Sequence, residues 1–291
     1  MHIRKIAIAI LLGSFLATCA AKNIIWDCGN VLFKPDKFSM TYYEIGIGSI
    51  LWHMVTDLQN PQLLQQKSFY ILSNIPSLTQ GVTLYGPNKA LLPLTMVDWL
   101  SGQEHPLSII EKAEAVIEDL STEEYFASEQ EVELIRRIIK AIFTPDILAA
   151  YTQPIPGAVK LVTECARNGC QQFIASNWDE YSFDILYNSE HGQKIFQHIS
   201  QENIFISGTC KQVKPHQSFY QLLVEAYDFD FEDCIFIDDQ LENVEAARAY
   251  GITSYWFDGD YKKLRKHLIE EGFLVLSAQK NEKVHAAVEA L

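Results

Sequence analysis

Positive charge is in short supply in this sequence. Its 23 lysines and arginines face 37 aspartates and glutamates, a formal net charge of −14. So acidic a chain has no general field to draw in nucleic acid or anionic lipid. A phosphate-bearing ligand would have to be held locally, by a metal ion, a lysine or backbone N–H groups. Cysteine is also sparse, with six in 291 residues. No CxxC pair or Cys/His cluster offers a zinc site. Once Cys19 is assigned to a leader, Cys28, Cys165, Cys170, Cys210 and Cys234 remain. That odd, unclustered set argues against a disulfide framework. Cys28 reads as a small side chain in a tight loop. Internal repeats and low-complexity segments are absent as well.

What is present is ordinary for a packed globular protein: 48% hydrophobic and 21% charged residues. The length suits one large domain, or a core with a smaller one attached. The first 21 residues read as a signal peptide. Arg4 and Lys5 precede an uncharged apolar run over 6–16, and small residues follow through Ala20 and Ala21. The run is shorter than the roughly 20 residues that span a bilayer. The expectation is an exported protein, periplasmic or secreted, with no integral membrane span in its mature form. Leu16-Ala17-Thr18-Cys19 offers an alternative, a lipid anchor through Cys19.

Five short apolar runs read as buried parallel strands. They are Ile24-Ile25-Trp26, Gln172-Phe173-Ile174-Ala175, Ile204-Phe205-Ile206, Cys234-Ile235-Phe236-Ile237 and the stretch 253–257. Helical patterns lie between them at 158–167, 218–227 and 241–250, the first and last stopped by Gly169 and Gly251. Strands alternating with helices predict an α/β fold with a doubly wound parallel sheet, whose ligands bind at the carboxyl ends of the strands. Residues 36–151 differ. They hold helical patterns at 48–58, 62–72, 107–120 and 129–143, punctuated by prolines, and no convincing buried strand. The expected division is therefore a core of residues 22–35 and 152–291, with a helical cap, 36–151, inserted after the first strand. The sheet is expected to resume near Pro154-Ile155-Pro156-Gly157. Tyr42, Tyr43, Trp52 and Trp99 would form cap core, and Trp178 would pack beside the main core.

The polar groups at four strand ends carry the chemistry. The first strand runs into Asp27-Cys28-Gly29-Asn30-Val31, and the second into Ser176-Asn177. A loop after the third carries Lys214-Pro215, and the fourth ends in Asp238-Asp239 with Asn243 beyond. Singly, each suits a turn or a cap. Paired carboxylates at a buried edge, however, repel unless a cation sits between them. In this order, on an alternating sheet, the set resembles the haloacid-dehalogenase-like superfamily. The resemblance covers residues 22–35 and roughly 154–258, and the first motif is similar to the Asp-x-Gly-Asn-Val of a sugar-phosphatase group. It implies a Rossmann-like core and a phosphatase whose nucleophile is Asp27. It further implies Mg²⁺ held by Asp27, the Gly29 carbonyl and Asp238, with Asp239 and Asn243 in support. Ser176 and Asn177 would bind the substrate phosphate. Lys214 would neutralise it and hold Asp27. The substrate would be a small phosphorylated metabolite, with a sugar phosphate among the options.

One position departs from the pattern. Many of these phosphatases carry a second aspartate two residues after the nucleophile, as general acid and base, where this chain has Gly29. General acid–base help is worth roughly 10²–10⁴-fold. Its loss predicts a preference for good leaving groups: sugar 1-phosphates, acyl phosphates or aryl phosphates. A cap residue such as Glu44, His53 or His105 could supply the missing proton, and the sequence does not select among them. Two other functions compete: a non-catalytic binding or regulatory protein of the same fold, and a metal-independent 2-haloacid dehalogenase. His216 reads as a helix start, and 262–267 as the solvated face of a late helix.

Overall fold

A computed structural model describes residues 22–46, 61–79, 81–86, 90–122 and 125–275. Among the described residues seven strands form: β1 (Asn23–Trp26), β2 (Phe33–Pro35), β3 (Thr152–Pro154), β4 (Gln171–Ser176), β5 (Ile204–Ile206), β6 (Cys234–Asp238) and β7 (Ser254–Trp256). Five of them make a parallel sheet in the order β5-β4-β1-β6-β7, with β1 at its centre. Its strands sit where the apolar runs predicted them, within two residues at each end.

The sheet is buried on both faces, and strand alternation sorts its side chains between them. Ile24, Trp26, Ile174, Ile235 and Ile237 point into one cluster. Ile25, Phe173, Ala175 and Phe236 point into the other. The first cluster is covered by α6 (Pro156–Asn168), α7 (Glu180–Asn188) and α10 (Tyr261–Glu270), through residues such as Leu161, Leu186 and Leu264. The second is covered by α8 (Gln217–Tyr227) and α9 (Leu241–Tyr250), through Phe219, Leu223 and Ala247. Helices on both faces make the sheet doubly wound. His216 is the N-cap of α8, and α10 exposes Lys262, Lys263 and Lys266 while burying Leu264 and Leu268.

Near Pro154 the chain does not rejoin the main sheet. β3 instead pairs antiparallel with β2, Phe33 opposite Pro154 and Pro35 opposite Thr152, and α6 opens at Pro156. Proline at a helix's first position is favourable because that N–H has no partner in the helix. The two short strands bring together the points at which the chain leaves β1 and returns.

Among the described residues between them lie the helices α1 (Pro61–Ser73), α2 (Leu94–Leu100), α3 (Pro106–Thr122), α4 (Glu129–Phe143) and α5 (Pro145–Ala150). These helices have a hydrophobic cluster of their own, with Ile71, Ile109, Ile135 and Phe143 at its centre. The helix expected at 48–58 lies outside the described residues, as do Trp52 and the side chain of Tyr42. Trp99 is buried in this cluster, edge-on to Phe143. Tyr43, by contrast, is exposed.

Candidate active site

The sheet's register brings the polar strand ends together. Trp26 of β1 is level with Ile174 of β4 and Ile237 of β6. Asp27 follows directly, Asp238 is one residue beyond Ile237, and Ser176 is two beyond Ile174. Strands on both sides of β1 therefore deliver polar residues to one edge, at the point where successive crossovers diverge.

Lys214 is the hub of this edge. Its ammonium is buried and donates to Asp27 Oδ1 at 2.7 Å, Asp238 Oδ2 at 2.6 Å and the Ala175 carbonyl at 2.9 Å. All three N–H groups are used. It also lies 5.2 Å from the centre of the Phe236 ring. Burial alone would lower the lysine's pKa, but Asp238 and Asp27 outweigh it and raise the pKa well above the ordinary range. Its loop is clamped from β4. Asn177 Nδ2 donates to the Lys214 carbonyl at 2.9 Å, and the Lys214 N–H donates to Asn177 Oδ1 at 2.8 Å. The side chain of Asn177, expected on the substrate phosphate, is thus turned onto the lysine's backbone.

Asp27 Oδ1 also accepts from Ser176 Oγ at 2.8 Å. Among the described residues no hydrogen-bond donor engages Oδ2. The carboxyl pKa is pushed up to about 7. Burial is the main cause; Lys214 opposes it, and Asp238 and Asp239 add to it.

Asp238 is fully buried and held on every side. Oδ1 accepts from the Gln240 N–H at 2.8 Å, and Asn243 Nδ2 lies 3.1 Å from both carboxylate oxygens. Asn243, from the first turn of α9, therefore orients an aspartate. Asp239 is half-buried, and burial and the neighbouring Asp238 raise its pKa. One carboxylate oxygen from each of Asp27, Asp238 and Asp239 lies within 4.8 Å of the others. Three carboxylates around one ammonium leave two negative charges uncompensated when all are ionised. Hard oxygen donors with that imbalance fit a divalent cation such as magnesium.

Asn30, Trp256 and Ser207 were given no role by the sequence. Asn30 adopts the left-handed conformation at φ 55°, and its Nδ2 donates to Asp239 Oδ2 at 3.0 Å. Asparagine tolerates that conformation better than most residues, which is the local signal that could have singled it out. Trp256 Nε1 donates to the Asp239 carbonyl at 3.0 Å. Ser207 accepts from the Trp178 N–H at 2.9 Å and donates to the Leu100 carbonyl at 2.5 Å. It thereby ties the loop after β4 to α2. A serine just beyond a strand carries no distinguishing signal.

Of the proton donors considered for the place at Gly29, Glu44 accepts from the Tyr151 hydroxyl at 2.8 Å. His105 stacks edge-on to Tyr181 and accepts from the Leu107 N–H. His53 lies outside the described residues. Trp178 packs on Phe183 and donates to Ser182 Oγ, as a structural residue would. Cys28 is fully buried.

A family model described as haloacid dehalogenase-like hydrolase matches residues 21–251. The chain belongs to that family. By sequence the chain is also similar in part to a drimenol cyclase of Aspergillus calidoustus, 30% identical over 92 residues, and to a CBBY-like protein of Arabidopsis thaliana, 26% identical over 98 residues. The matches cover 32% and 34% of this chain, but only 16% and 30% of those proteins. A haloacid dehalogenase family enzyme of Bacteroides thetaiotaomicron, solved in complex with magnesium and inorganic phosphate, is similar in fold. It is 14% identical, with a TM-score of 0.50 over 84% of this chain and 99% of that one. The family's hydrolase core accounts for the parallel sheet described above.

Proposed function

We propose that this family member is a magnesium-dependent phosphomonoester hydrolase acting through an aspartyl-phosphate on Asp27. The observation that carries the reading is the cluster of buried Asp27 and Asp238 with half-buried Asp239 about the buried Lys214. A buried ion cluster adds little to stability, and this one carries more negative charge than its lysine neutralises. Asp27, the Gly29 carbonyl and Asp238 would hold the metal, with Asp239 beside them and Asn243 fixing Asp238. When bound, magnesium supplies neutralising charge at the phosphoryl group.

The remaining chemistry belongs to the chain. Asp27 attacks phosphorus, the bond from phosphorus to the leaving oxygen breaks, and water then cleaves the acyl phosphate to regenerate the carboxylate. Lys214 holds Asp27 in place and offsets phosphoryl charge. Ser176 and the main-chain N–H of Asn177 would take a phosphate oxygen. Gly29 brings no proton donor, so substrates with good leaving groups are favoured: sugar 1-phosphates, acyl phosphates or aryl phosphates. The helices of residues 36–151 would act as a cap that selects a small phosphorylated metabolite. Residues 1–21, outside the described residues, would act as an export leader.

A phosphatase assay on an aryl phosphate, with and without Mg²⁺, on wild type and Asp27→Asn, tests the reading. Metal-dependent turnover lost in the variant is expected. Absence of turnover across a broad phosphate panel would favour a binding protein of this fold. Metal-independent halide release from a 2-haloacid would favour a dehalogenase, a reaction that leaves the Asp238–Asp239 pair without a purpose.

A further inference from the structure

The end of α6 is built in a way the hydrolase site does not use. Gly169, at φ 85°, stops the helix in the left-handed conformation, and its N–H donates to the Ala166 carbonyl at 3.0 Å. The next N–H, of Cys170, donates to the Cys165 carbonyl at 3.1 Å. This pair of bonds defines a Schellman cap, which folds the residue after the glycine back onto the one five positions earlier. The contact is ordinarily between two apolar side chains. Here both are cysteines. Cys165 is buried in the cluster beneath α6, and Cys170 packs half-buried against the same cluster, 3.1 Å from the Phe273 carbonyl. Contact with Cys165 holds the Cys170 thiol below its ordinary pKa, while contact with Cys170, together with burial, pushes Cys165 up.

We propose that Cys165 and Cys170 are an oxidisable dithiol that closes into an intrachain disulfide by exchange with a disulfide oxidant, stapling the end of α6 to the start of β4. A disulfide needs Cα atoms about 4.4–6.8 Å apart, a closeness that a direct backbone hydrogen bond between the same two residues favours. The Cys170 thiolate attacks the oxidant's disulfide and expels one thiol. Cys165 then gives its proton to solvent, and its sulfur displaces the second thiol from Cys170. Two protein thiols are oxidised and one disulfide is reduced to two thiols. The half-buried Cys170 is the sulfur that solvent reaches, and the buried Cys165 resolves. An oxidising compartment, where the leader-like residues 1–21 would send the chain, supplies such an oxidant. The inference stands apart from the phosphatase reading, since Ser176 lies at the far end of β4.

The test equilibrates the full chain with oxidised glutathione, quenches it in acid, alkylates it under denaturing conditions and maps its peptides by mass spectrometry. Cys165 and Cys170 should both escape alkylation, in a peptide lighter by two hydrogens, while Cys28 and Cys234 remain alkylatable. In Cys165→Ala a glutathione adduct should accumulate on Cys170. The oxidised wild type should melt above the reduced form, a difference that disappears in Cys170→Ser. If both cysteines of the wild type stay alkylatable, or if the wild type accumulates the same stable adduct as Cys165→Ala, the proposal is overturned.

Discussion

A Cβ built on Gly29 would meet nothing nearer than Asp27 Oδ2, at 3.6 Å, an ordinary van der Waals distance. Its φ lies outside the left-handed region, so neither space nor backbone demands glycine there. The missing acid can therefore be put back. Gly29→Asp should leave the fold intact and raise turnover of alkyl phosphates by roughly 10²–10⁴-fold, with much less gain for aryl phosphates. Steady-state rates across leaving groups of graded pKa check this, and a uniform loss of activity would contradict it.

The neighbouring Asp27 sets a second expectation. An aspartate in the unfolded chain titrates near 4, by its reference value of about 3.9, but in the folded, metal-free protein near 7. Between those values the folded state holds a proton that the unfolded state has lost. The stability due to this group is therefore full below the unfolded pKa and lost as pH rises through about 7. Magnesium held by Asp27 would compete with the same proton, so its affinity should increase as pH rises toward neutrality. Thermal melts in a chelator and titration calorimetry with Mg²⁺ at several pH values read both effects. Asp27→Asn should flatten each, and unchanged pH dependence in that variant would assign the titration elsewhere.

At the scale of elements, the helical segment is fastened beside the site rather than hung from its two connections alone. Val97 of α2 and Leu84 pack on Val213, the residue before Lys214. Ser207 links Leu100 to Trp178, and Lys211 Nζ donates to the carbonyls of Gly102 and Gly208 at 3.0 and 2.6 Å. Gly102 is the tightest point. It sits at φ 64°, and a Cβ there would fall 2.3 Å from the Gly208 carbonyl oxygen and 2.4 Å from Lys211 Nζ. Gly102→Ala combines that clash with a left-handed backbone, which costs a non-glycine residue about 1–3 kcal/mol. Urea denaturation should show a loss of at least that size. If α2 docks the substrate-side cap, KM should also rise more than kcat falls. A variant as stable as the wild type would show that the two segments part freely.

Over the whole molecule, what could be read from the sequence followed from burial. β1, β4, β5 and β6 are covered on both faces, so each appears as an uninterrupted apolar run ending in polar residues. Ile204-Phe205-Ile206 and Cys234-Ile235-Phe236-Ile237 needed no context to be found. The β2–β3 pair is not legible in the sequence, because three-residue strands containing Pro35 and Pro154 leave no periodic pattern, and only the fold brings them together. Within the site, Asp27, Ser176, Lys214 and Asp238 converge because their strand ends do. The position of Asn177 depends on the path of the Lys214 loop, and the place of Trp256 beside Asp239 depends on strand order, and neither is written locally. The number and spacing of the cysteines do not reveal the thiol pair, since the contact comes from a helix cap and not from a disulfide pattern.

The central claim is a covalent phosphate on Asp27, and trapping it tests that most directly. The protein would be mixed with acetyl phosphate and Mg²⁺, quenched in acid during turnover and reduced with borohydride, which converts an aspartyl phosphate into homoserine. Peptide mapping should find homoserine at position 27 only when both substrate and metal were present. Phosphate release with an unmodified Asp27, or modification at another carboxylate, would contradict the account.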